Sequence, residues 1–276
     1  MGAPLNQVII PATIQDLFAA WNRFPNAVPY AGGTDIIGKQ EKNMLELPPV
    51  FLCLDKIQEL HRITRTEQYL EIGSMVKLNK LLNLGKIVPK VLSACVNNIA
   101  GVQLRNLATI GGNICSKTRL YDIPAPLTAL DAQYELRGAQ TTRWVSSSRF
   151  HSKDETTLEK QELLTRIRLP LHHWDYEIYK KFYGEDYSKS EALVFLARAQ
   201  KNILTEIRVV FKRNTILRNK SAEDILNGKY LPLHRKTAAE FVKNWEEFLT
   251  SRHEISEFSK NTILNSIEEN VFNLSE

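Results

Sequence analysis

The stretch "LRNLATIGGNICSKTRLYD", Leu104 to Asp122, sets two adjacent glycines, Gly111 and Gly112, between Thr109 and Asn113, with an acid, Asp122, just downstream. A second stretch, "YAGGTDI" at residues 30–36, repeats the design: a hydrophobic, strand-like approach, a glycine pair, then a small polar side chain within two residues. Glycine pairs let the backbone take positive φ and let successive N–H groups converge on one concavity, with no Cβ to hold a ligand away. A tight turn accounts for either pair alone. Two matched loops point to one shared ligand, and a nest of amides suits a pyrophosphate.

Thr34, Thr109 and Asn113 add side-chain donors for phosphate oxygens, and the carboxylates of Asp35 and Asp122 suit the hydroxyls of a ribose or ribityl chain. Neither stretch is the G-x-G-x-x-G fingerprint or the G-x-x-x-x-G-K-[ST] loop, which disfavours a Rossmann dinucleotide site and a P-loop triphosphatase.

Composition narrows the remainder. With 276 residues, 43% of them hydrophobic and 24% charged, the chain is long enough for two or three compact units with full cores. Its longest apolar runs fall far short of the roughly 20 residues that span a bilayer. The start, "MGAPLNQVII", has no basic segment followed by a long apolar one, so the expected location is the cytoplasm. Cys53, Cys95 and Cys115 are widely spaced with no C-x-x-C pair, which reads as buried, reduced thiols. The net charge of +5 gathers around residues 201–220 and is followed by an acid-rich tail, with no basic recognition helix or aromatic RNA motif; nucleic acid is not the expected partner. His172 and His173 are adjacent with no third ligand near them in sequence, and no metal is assigned.

Strand and helix signals alternate from the start. "QVII" reads as a strand, Thr13 with Asp16 caps a helix to about Arg23, and "AVPY" is a strand running into Gly32 and Gly33. "PVFLCLDKIQEL" reads as a strand and a short turn, "YLEIGSMVKLNKLLNL" as a strand and a helix from near Val76, and residues 89–100 as another helix. A short helix and strand in "IPAPLTALDAQYEL" precede "TTRWVS", a polar loop, and "LLTRIRLP", a strand stopped by Pro170. "LHHWDYE" is a plausible boundary. Beyond it "YEIYKKFY", "EALVFLARAQ" and "LTEIRVVFKR" suggest a three-stranded antiparallel meander. Two amphipathic helices close the chain, with Ala238, Phe241, Val242, Trp245, Phe248 and Leu249 on one stripe and Ile263, Ile267 and Val271 on the other.

"AGGTDI" and "RNLATIGGNI", with the acid at Asp122, resemble the FAD-binding subunit or domain of the molybdenum hydroxylases, the family of xanthine dehydrogenase and the medium subunit of carbon monoxide dehydrogenase. The resemblance extends through "AGVQLRN", "ALDAQYEL", "LLTRIRLP" and "AEDILNGKYL", nearly the whole chain. It implies an α+β fold: an FAD-binding domain over residues 1–174, made of two subdomains that meet near residue 55, and a C-terminal domain over 175–276 with a three-stranded antiparallel sheet and helices.

By the same resemblance, Tyr30, Ala31, Gly32, Gly33, Thr34, Asp35 and Ile36 form the first loop on the FAD diphosphate. Thr109, Gly112 and Asn113 form the second, Asp122 takes a sugar hydroxyl, Ile99 and Ala100 line the cofactor, and Leu164 and Lys180 lie near the flavin ring, with Tyr183 and Tyr187 in the same region. The family usually has small residues before its acid, where this chain has Lys117, Arg119 and Tyr121. The implied activity is oxidoreductase electron transfer: a molybdenum-cofactor subunit oxidises substrate, a [2Fe-2S] subunit relays electrons, and the flavin passes them to a final acceptor. No acid or base in this chain is assigned to catalysis. A stand-alone flavoprotein reductase, or a scaffold subunit that has lost FAD, are the alternative readings.

Overall fold

The computed structural model describes residues 7–38, 47–116, 119–152, 158–183 and 190–274, and builds them into three sheets that follow one another along the chain. The first contains β1 (Gln7–Ile9), α1 (Ile14–Arg23), β2 (Val28–Tyr30), α2 (Thr34–Gly38) and β3 (Val50–Cys53). Its strands are parallel in the order β1-β3-β2. The predicted cap is present, Thr13 Oγ1 accepting from the Asp16 amide at 3.1 Å, and Leu17, Phe18 and Trp21 of α1 are buried.

The second unit holds β4 (Ile63–Arg65), β5 (Tyr69–Gly73), α3 (Leu78–Leu82), α4 (Lys90–Asn97), α5 (Val102–Leu107), α6 (Ile110–Ile114), α7 (Pro124–Ala129), β6 (Gln133–Arg137), β7 (Thr142–Ser146), α8 (Ser147–Phe150) and β8 (Leu163–Pro170). Its sheet is antiparallel, ordered β4-β5-β8-β6-β7. β5 pairs with β8 across about ninety residues of sequence, so α3 to α7 form one excursion that packs back on the sheet and buries Leu81, Leu92, Val96, Ile110 and Leu127.

The third unit holds β9 (Tyr176–Tyr183), β10 (Ser190–Gln200), β11 (Ile203–Lys212), β12 (Ile216–Arg218), α9 (Lys220–Leu226), α10 (Arg235–Thr250) and α11 (Glu257–Asn273). The predicted meander is there, and the short β12 extends it to the order β12-β11-β10-β9. Both faces of this sheet are covered, which is why "ALVFLA" reads as an unbroken apolar run. Leu193, Phe195 and Phe211 pack under α10 and α11, whose predicted stripes meet them through Phe241, Trp245, Ile263 and Ile267. Val194, Leu196 and Val210, on the opposite face, join the core of the second unit. Each such buried side chain contributes about 1.5–3 kcal/mol relative to exposure.

One local expectation fails. The approach to the second glycine pair is not strand-like: residues 102–107 form α5, and the glycines lie inside α6. The reason is local. Thr109 takes extended angles (φ −108°, ψ 156°), bridges to Lys77, and caps α6 by accepting from the Gly112 amide at 3.0 Å.

Candidate cofactor site

The first loop leaves β2 after Tyr30, whose carbonyl accepts from the Leu54 amide, and turns through Gly32 and Gly33 into α2. Gly33 has φ +71°, and a Cβ there would lie 2.3 Å from the Tyr30 hydroxyl; only glycine fits both conditions. A Cβ on Gly32 would stand 2.1 Å from the Leu107 carbonyl oxygen, so this glycine is where the first unit meets the run-up to the second loop. The two loops, some eighty residues apart in sequence, are therefore neighbours. Among the described residues the N–H groups of Gly32, Gly33 and Thr34 make no hydrogen bond. Three successive unbonded donors are available to an anionic ligand.

The second loop differs. Its amides are spent within the fold: Ile110 donates to Val76 O, Gly111 to Ser74 O, Gly112 to Thr109 Oγ1 and Asn113 to Thr109 O, all at 2.9–3.1 Å. The expected second nest is absent, because the loop is a capped helical turn. Its contribution is a bare surface: Gly112 is exposed, and among the described residues a Cβ there would touch only Thr109 Oγ1, at 3.0 Å. The Thr109 side chain is buried as the cap, and Asn113 is buried with Oδ1 accepting from the Ile123 amide at the start of α7. Both shape the loop from behind through these bonds, in each of which the side-chain oxygen accepts, so the Thr109 hydroxyl hydrogen and the Asn113 Nδ2 donors take no part in them. Thr109→Ala should cost about 1 kcal/mol by losing the cap, readable in a urea unfolding curve.

The two acids also have partners. Asp35 Oδ1 accepts from Tyr121 Oη at 2.7 Å and from Ser116 Oγ at 3.3 Å, both from the segment after the second loop. Asp122 is buried between two ammonium groups, Lys181 Nζ and Lys212 Nζ, each at 2.8 Å, and accepts from Ser190 Oγ at 2.7 Å. Burial works against its charge, but Lys212, Lys181 and Ser190 outweigh burial and hold the carboxyl below its usual range. It ties the third sheet to the second unit, and its oxygens are engaged by three donors where the sequence suggested an acceptor open to a sugar hydroxyl.

Lys180 does not reach the site. In β9 the side chains of Ile178, Lys180 and Phe182 point toward the helices; Ile178 and Phe182 pack on the core beneath them, and Lys180 pairs with Glu269 of α11 at 2.9 Å. Lys181, on the opposite face, reaches Asp122 and the Asn98 carbonyl at 3.1 Å. Leu164 is 2% exposed within the core of the second unit, beneath the surface a ring could touch. Ile99 packs against that core, while Ala100 is exposed with φ +42° in a turn gripped by Arg105, whose Nη1 donates to Ile99 O at 2.9 Å and Ala100 O at 2.6 Å. Ala31 packs on the first core and Ile36 is half-buried. Tyr183 is half exposed, with the Lys181 ammonium 5.7 Å from its ring centre. Tyr187 and Lys117 lie outside the described residues.

Sequence reasoning missed Lys181, Lys212, Ser190 and the inward turn of Tyr121. The alternation of "YEIYKKFY" carried a signal for the first: Ile178 and Phe182 mark the core-facing parity of the strand, which puts Lys180 with them and Lys181 on the other side. The others join residues 68 or more positions apart, and no local pattern encodes them.

A family profile described as "FAD binding domain in molybdopterin dehydrogenase" matches residues 4–172. The chain is 29% identical over 229 residues to the carbon monoxide dehydrogenase medium chain of Afipia carboxidovorans, covering 80% of this chain and 79% of that one. It is 26% identical over 247 residues to the nicotine 6-hydroxylase medium subunit of Paenarthrobacter nicotinovorans, covering 87% and 86% respectively. In fold it is similar to a chain of the carbon monoxide dehydrogenase from Hydrogenophaga pseudoflava, with a TM-score of 0.82 at 22% identity over 100% of this chain and 98% of that one. The glycine loops, the unbonded amides beside them and these likenesses agree: the chain belongs to the FAD-binding family of the molybdopterin dehydrogenases.

Proposed function

We propose that this chain is the FAD-carrying, electron-transfer subunit of a multi-subunit molybdenum hydroxylase, holding the cofactor diphosphate where its two glycine loops meet. The observation that carries this is the contact of Gly32 with Leu107 beside three unbonded amides. The amides of Gly32, Gly33 and Thr34 would hold the phosphates, and Gly112 would leave room for them on the other side. FAD supplies the redox chemistry when bound; the protein fixes its position and surrounding charge. Lys181 adds a cation on the sheet face that looks toward Asp122. We assign the FAD-binding domain to residues 1–174 and the C-terminal domain to 175–276, as the sequence suggests.

A molybdenum-cofactor subunit and a [2Fe-2S] subunit are the proposed partners, the flavin passing electrons from the clusters to a final acceptor. The names of the relatives, medium chain and medium subunit, support this. So do Val102, Leu104 and Leu107, three exposed apolar side chains of α5 next to the loops, which suit a covering protein surface. No helix among the described residues is long and apolar enough to cross a membrane. We place the protein in the cytoplasm, a reading supported by its three free cysteines.

Gly112→Val tests the site. The new side chain would stand in phosphate space and its Cβ would meet, among the described residues, Thr109 Oγ1 alone, so unfolding stability should fall by about 1 kcal/mol while flavin absorbance is lost from the purified protein. A variant that keeps a full complement of flavin would contradict the assignment.

A further inference from the structure

Tyr121 stands in the segment that sequence reading left without a role. Its ring is half-buried, its hydroxyl donates to Asp35 Oδ1 at 2.7 Å, and the Arg119 guanidinium lies over its face, 5.1 Å from the ring centre. Ser116 donates to the same carboxylate oxygen. Asp35 is the second residue of α2, directly after the unbonded amides of the first loop. The Tyr121 bond therefore joins the helix leaving the first loop to the strand of chain leaving the second, 86 positions away. Ser116 makes the same join, and the packing of Gly32 on Leu107 is a further tie between the two loops. Burial, and then the bond to Asp35, push the phenol up to about 12, so it remains a protonated donor through neutral pH.

A carboxylate beside a diphosphate repels it unless its lone pairs are turned elsewhere, and a charge-assisted bond from a phenol does that. Fixing two loops before a ligand arrives also removes an ordering cost that binding would otherwise carry. We propose that Tyr121 is a positioning residue for FAD: held on Asp35, it sets the spacing of the two glycine loops that receive the diphosphate. This rests on the FAD site proposed above.

The test uses the full chain, purified with whatever subunits accompany it, and follows FAD release by the fluorescence of freed flavin. Tyr121→Phe removes one hydroxyl and keeps the ring under Arg119. It should weaken FAD binding roughly tenfold, mainly through faster release, since one charge-assisted bond is lost. In an Asp35→Asn background the same change should cause no further loss, because the hydroxyl acts through that carboxylate. Wild-type affinity in Tyr121→Phe overturns the proposal, as does a tenfold loss that persists in the Asp35→Asn background. A lower unfolding midpoint with unchanged affinity also overturns it, since the tie would then be structural only. Wild-type protein that takes up no FAD is a separate outcome: it removes the site itself, and Tyr121's role with it.

Discussion

Gly32→Ala is expected to give a protein that retains no flavin and unfolds more easily, although the change adds a single methyl group. That methyl would lie 2.1 Å from Leu107 O, 2.8 Å from Leu107 C and 3.1 Å from Ala108 Cα. All three are backbone atoms, so no side-chain rotation relieves the clash. The Leu107 carbonyl is also held by Lys77 Nζ at 3.1 Å, and the Ala108 carbonyl accepts from the Leu78 amide at 3.0 Å. The first loop has to lift away, and the three amides lose the placement proposed for the diphosphate. Overpacking of this kind costs about 1–3 kcal/mol. Gly38→Ala is the matched control, since among the described residues nothing lies within 4 Å of a Cβ at that position; it should keep its flavin. Gly33 is a poorer probe than sequence alone suggests. Its positive φ and the Tyr30 hydroxyl mean that a side chain there disturbs the loop itself, whatever it does to the cofactor.

Replacing Asp122 by alanine should have the largest effect on stability. The carboxylate sits between Lys181 and Lys212, whose side chains are 15% and 3% exposed. Its removal leaves two ammonium groups facing each other inside the protein. Breaking a buried pair in this way costs about 3–5 kcal/mol. The same group predicts an acid dependence. Its folded pKa lies below the unfolded value of 3.8, so its contribution is complete above that value and disappears as pH falls through the folded one. Glu71 and Glu162 act in the same sense from a higher unfolded value, 4.5: burial opposes their charge, but Arg166 and Arg168 hold down the first and Arg143 the second. Unfolding curves at successive pH values should therefore show a shallower acid loss in Asp122→Ala than in the wild type, with a residue of it remaining. A midpoint equal to wild type at pH 7 would contradict the account of the buried cluster.

Much of this was legible in the order of residues, and the exceptions have physical causes. The α10 stripe from Ala238 to Leu249 and the β10 run around Phe195 are set by periodicity, which burial enforces over many positions at once. The first glycine loop was legible as well, because a strand ending at Tyr30 leaves the chain little choice but to turn at Gly32 and Gly33. The second loop was not. Thr109 carried a local cap signal, but the bonds that take up the Ile110 and Gly111 amides come from Val76 and Ser74, more than thirty positions upstream, and no local pattern announces them. Lys180, matched by resemblance, lies on the helix-covered face of β9 and Lys181 on the other, because neighbouring lysines differ in strand parity, which the flanking Ile178 and Phe182 decide. Asp122 looked like an open acceptor because its cations arrive from residues 181 and 212.

The most direct measurement is an experimental structure of the protein with FAD bound, read at the diphosphate. The account predicts phosphate oxygens within hydrogen-bond distance of the Gly32, Gly33 and Thr34 amides, with Gly112 facing them from across the cleft. A diphosphate lodged elsewhere, for instance against the basic groove of Arg62, Arg65 and Lys80, with those three amides still unbonded, would contradict it.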